Sequence, residues 1–177
     1  MKDFVFKNDW EIVLGKQFLV NNKTKKKAYI CSPLRADLLS EQDMNSKAAR
    51  AYMYYGFIEL GYKTRAPHAY LPALICESVP VEREMALRFG LKLIELSDVL
   101  LVCGDKVSCG MIDEIIQSVR LGLEIFVFNE KIFPKVKMIV NQTCNGNGKV
   151  HLSKVHEFMG LSSKEVCDYL EKSKSGG

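Results

Sequence analysis

The sequence has few of the residues that mark metal-bound, disulfide-linked or membrane-spanning proteins. It contains only three histidines, and its six cysteines lie far apart with no C-x-x-C pair. A zinc site and a disulfide framework are therefore both unexpected. No segment approaches the ~20 apolar residues that a membrane helix needs, and the first residues include acids and a tryptophan where a signal peptide would have its apolar core. These absences predict a cytoplasmic protein with no metal centre and no membrane partner.

The sequence also has no internal repeat, and its length of 177 residues with 47% hydrophobic content suits one domain. The net charge of +4 depends on the basic run Lys23–Lys27 and a lysine-bearing tail, which is typical of solvated termini. No nucleic-acid partner is expected. We predict an N-terminal arm (1–26), an α/β domain (27–160), and a C-terminal part (161–177) in which a capped helix over Ser162–Leu170 precedes a disordered tail.

The most informative stretch is Leu96–Phe128. Its apolar run Val99–Val102 is too short for a helix, a polar loop follows at Gly104–Ser108, and Met111–Leu121 is amphipathic. A second apolar run, Ile125–Phe128, completes a strand, helix, strand unit of a parallel sheet. In such sheets ligands bind outside the carboxyl ends of the strands.

Three residues at that edge suggest chemistry. Ser108 and Gly110 at a helix N-terminus suit an anion, because free backbone N–H groups and the helix dipole point at it. A carboxylate does not suit phosphate binding, so Glu114 is the first candidate for a catalytic role. Cys109 lies in the same loop, but no histidine near it in sequence would activate it as a nucleophile.

A second strand ends at the same edge. Lys27–Cys31 predicts a short strand, and Pro33 closes it because proline cannot donate to the ladder. If this strand is parallel and adjacent to Val99–Val102, then Tyr29, Ser32 and Arg35 lie beside Glu114.

The middle of the chain predicts a crossover helix over Asn45–Leu60 and a short strand over Tyr62–Ala66. The loop Pro67–Pro72 contains two prolines and an aromatic residue, which would suit a lid or a wall on which a base stacks. His68 in this loop is either a site residue or a histidine that hydrogen-bonds the loop backbone, and the sequence leaves both open.

A long helix is predicted over Pro80–Leu96, where Glu82 and Glu84 in the first turn are ordinary helix-start residues. Beyond it, Pro134–Val140 and Val150–Leu152 predict a last helix or an edge strand.

The residues at the two strand ends together resemble a known family. The matching positions are Tyr29, Arg35, Asp98, Ser108, Gly110 and Glu114. Their spacing resembles the nucleoside 2-deoxyribosyltransferase superfamily, and within it the deoxynucleoside 5'-monophosphate N-hydrolases. With Ala66-Pro67-His68 and Pro80-x-Glu82-Arg83-Glu84 added, the pattern also resembles uncharacterised bacterial and phage members. The resemblance covers about Lys27–Phe128.

The resemblance implies a flavodoxin-like (Rossmann-like) doubly wound parallel sheet, in agreement with the unit over Leu96–Phe128. It implies that Glu114 attacks the anomeric carbon and forms a glycosyl-enzyme intermediate, while Tyr29 orients Glu114 or contacts the sugar. Arg35, Ser108 and Gly110 would hold a 5'-phosphate. The substrate would be a nucleoside or nucleotide, no cofactor would be needed, and the protein would form a homodimer or higher homo-oligomer.

Two positions depart from the family pattern. Family members use a second acid near the substrate, for which the best match here is Glu84, with Glu82 and Asp113 as weaker candidates. Ala36 follows Arg35 where the hydrolases carry glycine, which reduces the freedom of the backbone near a phosphate. Asp98 begins its strand at the end away from the ligand edge, so a structural cap is expected there.

Two functions follow from these residues. The first is an enzyme that cleaves or transfers the N-glycosidic bond of (deoxy)nucleosides or their 5'-monophosphates, and it requires Glu114, Tyr29 and an acid to converge. The second is a non-catalytic nucleotide-binding or sensing module, which needs only the anion site at Arg35 and Ser108. A flavin protein is disfavoured, because the first loop lacks the Ser, Thr and Gly run that would wrap a phosphate.

Overall fold

The computed structural model describes residues 26–76, 79–146, 148–154 and 157–175, so almost all of the predicted N-terminal arm lies outside the described residues. The elements are β1 (Lys27–Cys31), α1 (Leu39–Ile58), β2 (Lys63–Arg65), α2 (Pro80–Glu95), β3 (Val99–Val102), α3 (Cys109–Arg120), β4 (Glu124–Val127), α4 (Phe133–Cys144), β5 (Val150–Leu152), α5 (Glu157–Gly160) and α6 (Ser163–Ser175). Two 3₁₀ turns, Pro67–Ala69 and Leu71–Ala73, lie between β2 and α2.

The five strands form one parallel sheet in the order β2-β1-β3-β4-β5. This is the strand order of the flavodoxin-like doubly wound fold, and it confirms the predicted fold class. Because the chain proceeds from β1 to one side and then from β3 to the other, the topological switch point lies between β1 and β3. Ligands of this fold bind at the carboxyl ends of the strands at that point.

Helices cover both faces of the sheet. Residues of α1, α5 and α6 pack with Ala28 and Ile30 on one face. Residues of α2, α3 and α4 pack with Tyr29 and Cys31 on the other. The alternation follows from strand geometry, which turns successive side chains to opposite faces. It places the Tyr29 ring under the helices that follow β2 and β3.

Several predicted elements differ from the observed ones at their ends. α1 begins at Leu39 rather than Asn45. The sequence did not predict residues 39–44 as helical, because none of them is buried and they show no apolar periodicity. The last helix and the edge strand, predicted as alternatives, both form, as α4 and β5. α6 continues to Ser175, into the segment expected to be disordered. The predicted cap is present: Ser162 N–H donates to Glu165 Oε2 at 2.8 Å, and Glu165 N–H donates to Ser162 Oγ at 3.3 Å.

The amino edge of the sheet carries a reciprocal pair. Lys27 N–H donates to Asp98 Oδ2 at 2.7 Å, and Asp98 N–H donates to the Lys27 carbonyl at 2.8 Å. Asp98 thus has the structural role expected of it, at the end of β3 away from Glu114. None of the described helices has the length and apolar content needed to cross a membrane.

Candidate active site

The centre of the candidate site is the Glu114 carboxylate, in the second turn of α3. This helix begins at Ser108, whose Oγ accepts a hydrogen bond from Met111 N–H at 3.4 Å. Met111 and Ile115, four residues apart, are buried against the sheet. Glu114 lies next to them on that side of the helix, so only 14% of its side chain is exposed.

Tyr29 on β1 contacts this carboxylate directly. Its hydroxyl donates to Glu114 Oε1 at 2.6 Å, a length typical of a hydrogen bond to an ionised acceptor. Burial of the ring raises the pKa of Tyr29 well above its ordinary value, and the negative charge of Glu114 raises it further. The phenol therefore remains a hydrogen-bond donor throughout the neutral range.

His68, in the 3₁₀ turn Pro67–Ala69 that follows β2, contacts the same oxygen. Its Nε2 lies 3.2 Å from Glu114 Oε1, and 17% of its side chain is exposed. The first 3₁₀ turn holds the ring in place, because Arg50 Nη1 on α1 donates to the Ala69 carbonyl at 2.9 Å. The structure therefore brings His68 together with Tyr29 and Glu114.

Oxygen Oε2 of Glu114 is in a different state from Oε1. It is buried and has no partner with ordinary hydrogen-bond geometry, although the Cys31 thiol also interacts with the Glu114 carboxylate. A buried acceptor without a partner costs about 1–3 kcal/mol and calls for an explanation. One carboxylate oxygen is thus held by Tyr29 and His68, while the other has no geometric hydrogen-bond partner.

Two further side chains share this property. Among the described residues, the buried side-chain polar atoms without a hydrogen-bond partner are Ser32 Oγ, Arg65 Nη1 and Glu114 Oε2. Ser32 follows β1, and Arg65 is the last residue of β2, so all three atoms belong to the carboxyl end of the sheet. The sequence predicted Ser32 but not Arg65. The available signal was a cation at the end of a short strand, two residues before Pro67.

Two of the three residues expected to hold a phosphate, Ser108 and Gly110, lie at the start of α3. The Ser108 hydroxyl caps the helix, which satisfies one backbone N–H of the first turn. Gly110 is exposed, and a Cβ added there would meet no atom within 4 Å, so the space in front of this turn is open. Arg35 is exposed in the loop between β1 and α1. These positions are compatible with an anion at the N-terminus of α3.

Glu84, the expected second acid, is not part of the cluster formed by Glu114, Tyr29 and His68. Its carboxylate pairs with Arg88 at 2.7 Å, and 62% of its side chain is exposed. The buried residues of α2 are Gly90 and Ile94, and a Cβ at Gly90 would lie 3.4 Å from the Tyr29 hydroxyl. Since successive helical residues turn by about 100°, Glu84 lies about 120° around the helix from Gly90. The face of α2 that covers Tyr29 therefore does not present Glu84.

Two cysteines lie near the site. Cys31 is fully buried, and this burial, with the adjacent Glu114 charge, raises the pKa of its thiol, which behaves as a neutral core residue. Cys109 is exposed at the start of α3. Within the described part of the chain, no three His, Cys, Asp or Glu side chains are grouped closely enough to hold a metal ion.

A cavity of about 340 Å³ lies next to the site rather than in it. It is lined by residues of α1, including Arg50, and of the two 3₁₀ turns, including Ala69. Its lining includes neither Tyr29 nor Glu114.

Fold and geometry together define a flavodoxin-like domain with an oriented carboxylate at its switch point. The chain belongs to the DUF7768 family, described as a domain of unknown function, whose profile matches residues 26–128. No curated protein sequence matches the chain.

Two solved structures are similar in backbone path. One is a 2-deoxyribosyltransferase from the psychrotolerant bacterium Bacillus psychrosaccharolyticus, with 18% identity and a TM-score of 0.48 over 77% of this chain and 97% of the other. The second is the Clostridium botulinum CMP N-glycosidase BcmB, with 16% identity and a TM-score of 0.42 over 85% of this chain and 98% of the other. At these values the likeness concerns the fold, and says nothing about the chemistry at the sheet edge.

Proposed function

We propose that the protein cleaves or transfers the N-glycosidic bond of (deoxy)nucleosides or their 5'-monophosphates, with Glu114 as the nucleophile. The observation that carries the proposal is the asymmetry of the Glu114 carboxylate. Oε1 is held by Tyr29 and contacts His68, while Oε2 is buried without a partner. A nucleophile needs this arrangement, because a fixed oxygen orients the free one toward the reacting carbon.

The chemistry follows from the charge of the transition state. Cleavage of an N-glycosidic bond passes through an oxocarbenium-like state, which an adjacent carboxylate stabilises and then traps. Glu114 Oε2 bonds to the anomeric carbon as the carbon–nitrogen bond breaks, and the electron pair of that bond remains on the base. Water then attacks the same carbon, the ester bond to Glu114 breaks, and a proton from water ends on the released base. In a transferase, a second base takes the place of water.

Tyr29 and His68 have supporting roles in this proposal. Because the Tyr29 phenol stays protonated, it donates to Oε1 during the whole reaction and holds the carboxylate in one rotamer. His68 restrains the same oxygen from the 3₁₀ turn that Arg50 anchors.

The 5'-phosphate, where the substrate has one, is assigned to Arg35, Ser108 and Gly110. The positions of Ser108 and Gly110 at the open first turn of α3 support the assignment. An arginine supplies charge-assisted hydrogen bonds, and the helix start supplies backbone N–H groups and the positive end of the dipole. Ser32 is assigned to the sugar side, since its buried hydroxyl has no partner.

Self-association is part of the proposal and is supported by α2. This helix of 16 residues buries only Gly90 and Ile94, while it exposes large apolar side chains. The exposed residues are Val81, Met85, Leu87, Phe89 and Leu91. An apolar surface of this kind next to a site is typical of an interface between subunits.

A specific observation favours the alternative, a nucleotide-binding module without catalysis. No second carboxylate contacts Glu114 among the described residues, and Glu84 is paired with Arg88 instead. If no acid assists the leaving base, the anion site at Arg35 and Ser108 could still bind a nucleotide.

Base release distinguishes the two functions. The wild type, Glu114→Ala and a control, Glu130→Ala, are incubated with ribo- and deoxynucleosides and their 5'-monophosphates. Glu130 is a surface carboxylate, 69% exposed and paired with Lys154. We expect release by the wild type and the control, and none by Glu114→Ala, which should still bind the substrate. An active Glu114→Ala variant would remove Glu114 from the mechanism. No release from any substrate, with a thermal shift by a nucleotide, would favour the binding module.

A further inference from the structure

Arg65 is a partly buried cation that the mechanism above does not use. It pairs with Tyr29 in the register of β1 and β2, so both side chains project from the same face of the sheet. Ala66, the next residue, packs on the opposite face with Ala28 and Ile30, as the alternation requires. Arg65 is therefore a neighbour of Tyr29 on the side of the sheet where Glu114 lies.

The guanidinium has unused hydrogen-bonding capacity. Its Nη1 is buried without a hydrogen-bond partner, and Arg65 takes part in no ion pair between described residues. Buried guanidinium groups normally have a hydrogen-bonded or charged partner, so this donor is available to a ligand. Because Nη1 is shielded from solvent, a ligand reaches it only after neighbouring side chains turn aside.

Tyr70 is an electrostatic neighbour of Arg65. Burial raises the pKa of the Tyr70 phenol, and the positive charge of Arg65 opposes that rise, so the two groups are electrostatic neighbours. Tyr70 also contributes to the raised pKa of Tyr29. Tyr70 as a whole is 36% exposed, at the junction of the two 3₁₀ turns, where an aromatic face can stack on a planar ligand.

The strand order decides which part of a substrate would meet Arg65. α3 follows β3, whereas Arg65 ends β2, and β1 with Tyr29 lies between them. The phosphate position at the start of α3 and the Arg65 position are thus on opposite sides of Tyr29. In a nucleotide, the base is attached at C1' and the 5'-phosphate is carried beyond C4', on either side of the ring oxygen, so the two groups extend from the sugar in different directions. With the anomeric carbon at Glu114, a phosphate near α3 leaves the base on the side of Arg65.

We propose that Arg65, with Tyr70 beside it, forms the base subsite. In this assignment Nη1 donates to a carbonyl oxygen or unprotonated ring nitrogen of the base. The inference rests on the proposed function. When the carbon–nitrogen bond breaks and its electron pair stays on the base, Arg65 stabilises the negative charge until water supplies a proton. A cation thereby does the work that a second carboxylic acid, absent from contact with Glu114, would otherwise do.

The first test uses binding alone, so that it does not depend on turnover. Calorimetry compares free bases (cytosine, uracil, thymine, adenine and hypoxanthine) with 2-deoxyribose 5-phosphate. Arg65→Met keeps the length of the side chain but removes its donors. We expect it to weaken binding of the preferred base by about tenfold, the usual effect of losing a hydrogen bond to a charged group. Binding of the sugar phosphate should stay within about twofold, as for a substitution outside its site.

Two further variants control this test. Arg120→Met makes the same substitution at an exposed arginine in the last turn of α3. The affinity of this variant for both ligands should stay within about twofold of the wild-type affinity. Arg65→Lys keeps the charge and should recover part of the base affinity, which a purely structural role would not predict. If Arg65→Met fails to fold, the comparison of Arg65→Lys with the wild type still tests the proposal. Arg65→Lys should lower the affinity for the base and leave the affinity for the sugar phosphate unchanged.

The outcomes that overturn the proposal are distinct from failure of the enzymatic function. Equal loss of both ligands in Arg65→Met, or loss of the sugar phosphate alone, would show that Arg65 does not contact the base. Absence of any base binding by the wild type would also overturn it. Lack of base release in the activity assay, with base binding that depends on Arg65, would reject the enzyme and keep the subsite.

Discussion

The hydrogen bond from Tyr29 to Glu114 is the contact on which the candidate site depends, and Tyr29→Phe removes it with little change in shape. The hydroxyl donates to Oε1 at 2.6 Å in a buried setting. Hydrogen bonds to charged groups contribute about 1.5–3 kcal/mol to stability. For a protein of this size such a loss should lower Tm by roughly 3–12 °C. If Glu114 is the nucleophile, turnover should fall as well, because Oε1 keeps only its contact with His68.

A double-mutant cycle isolates this bond from the loss of the hydroxyl itself. The cycle combines Tyr29→Phe with Glu114→Met, since methionine has a similar length and no oxygen acceptor. Urea unfolding followed by circular dichroism gives the free energy of each variant, and we expect a coupling energy of about 1–3 kcal/mol, as for residues in direct contact.

Tyr62→Phe is the matched control for this cycle. Tyr62 precedes β2 at the amino edge of the sheet, so the substitution removes a phenol hydroxyl far from Glu114. Its coupling with Glu114→Met should stay below about 0.5 kcal/mol. A coupling just as small for Tyr29 would refute the reasoning, because the two groups would then not interact in solution.

Three other predictions concern the phosphate, alkaline pH and assembly. Arg35→Ala should lower the affinity for 5'-monophosphates by about tenfold and the affinity for nucleosides far less. An equal loss of affinity for both in calorimetry would place Arg35 away from the phosphate. Burial raises the pKa of Tyr29 and Tyr52 in the folded state, whereas unfolded tyrosine titrates near pH 10, as ~10 is its model value. Their contribution to stability is therefore complete below about pH 10 and declines above it, by about 1.4 kcal/mol per pH unit for each tyrosine. Urea unfolding between neutral and alkaline pH should show this decline, with a smaller slope in Tyr29→Phe; identical slopes would contradict it. Leu87→Lys, on the exposed apolar face of α2, should reduce the mass measured by light scattering, and a monomeric wild type would refute the self-association.

The sequence was most informative about the central strand of the sheet and the helix that follows it. Val99–Val102 was predicted with its observed bounds, because a fully buried central strand gives a continuous apolar run with polar residues on both sides. The edge position of Glu114 followed from that strand and the helix after it. Contact with Glu114 was one of the two roles that the family resemblance implied for Tyr29, and the structure has a hydrogen bond of 2.6 Å between them.

α2 shows where such an argument fails. Its apolar residues include Met85, Leu87, Phe89, Leu91 and Leu93, which recur every second position and so are distributed around the helix. This pattern does not indicate which face is buried, and the observed face is set by Gly90 and Ile94. Glycine contributes nothing to an apolar pattern, so the orientation of Glu84 could not be predicted.

Arg65 was missed for a related reason. A charged residue at the end of a short strand is normally solvent-exposed, and the sequence gives no sign that it is shielded. In the structure its Nη1 is nevertheless shielded from solvent, and its charge acts on the Tyr70 phenol five residues further along the chain.

The reciprocal bonds between Lys27 and Asp98 have a consequence at the opposite end of the sheet. They fix the register of β1 relative to β3. In a strand, each side chain points to one of the two faces of the sheet, and the register decides which one. A shift of one residue would turn Tyr29 toward α1 and present Ala28 or Ile30 to Glu114, neither of which can donate a hydrogen bond. Asp98 has no access to a substrate, yet it selects the side chain that meets the carboxylate. Sequence variation at Asp98 would therefore affect the alignment of the site rather than its chemistry.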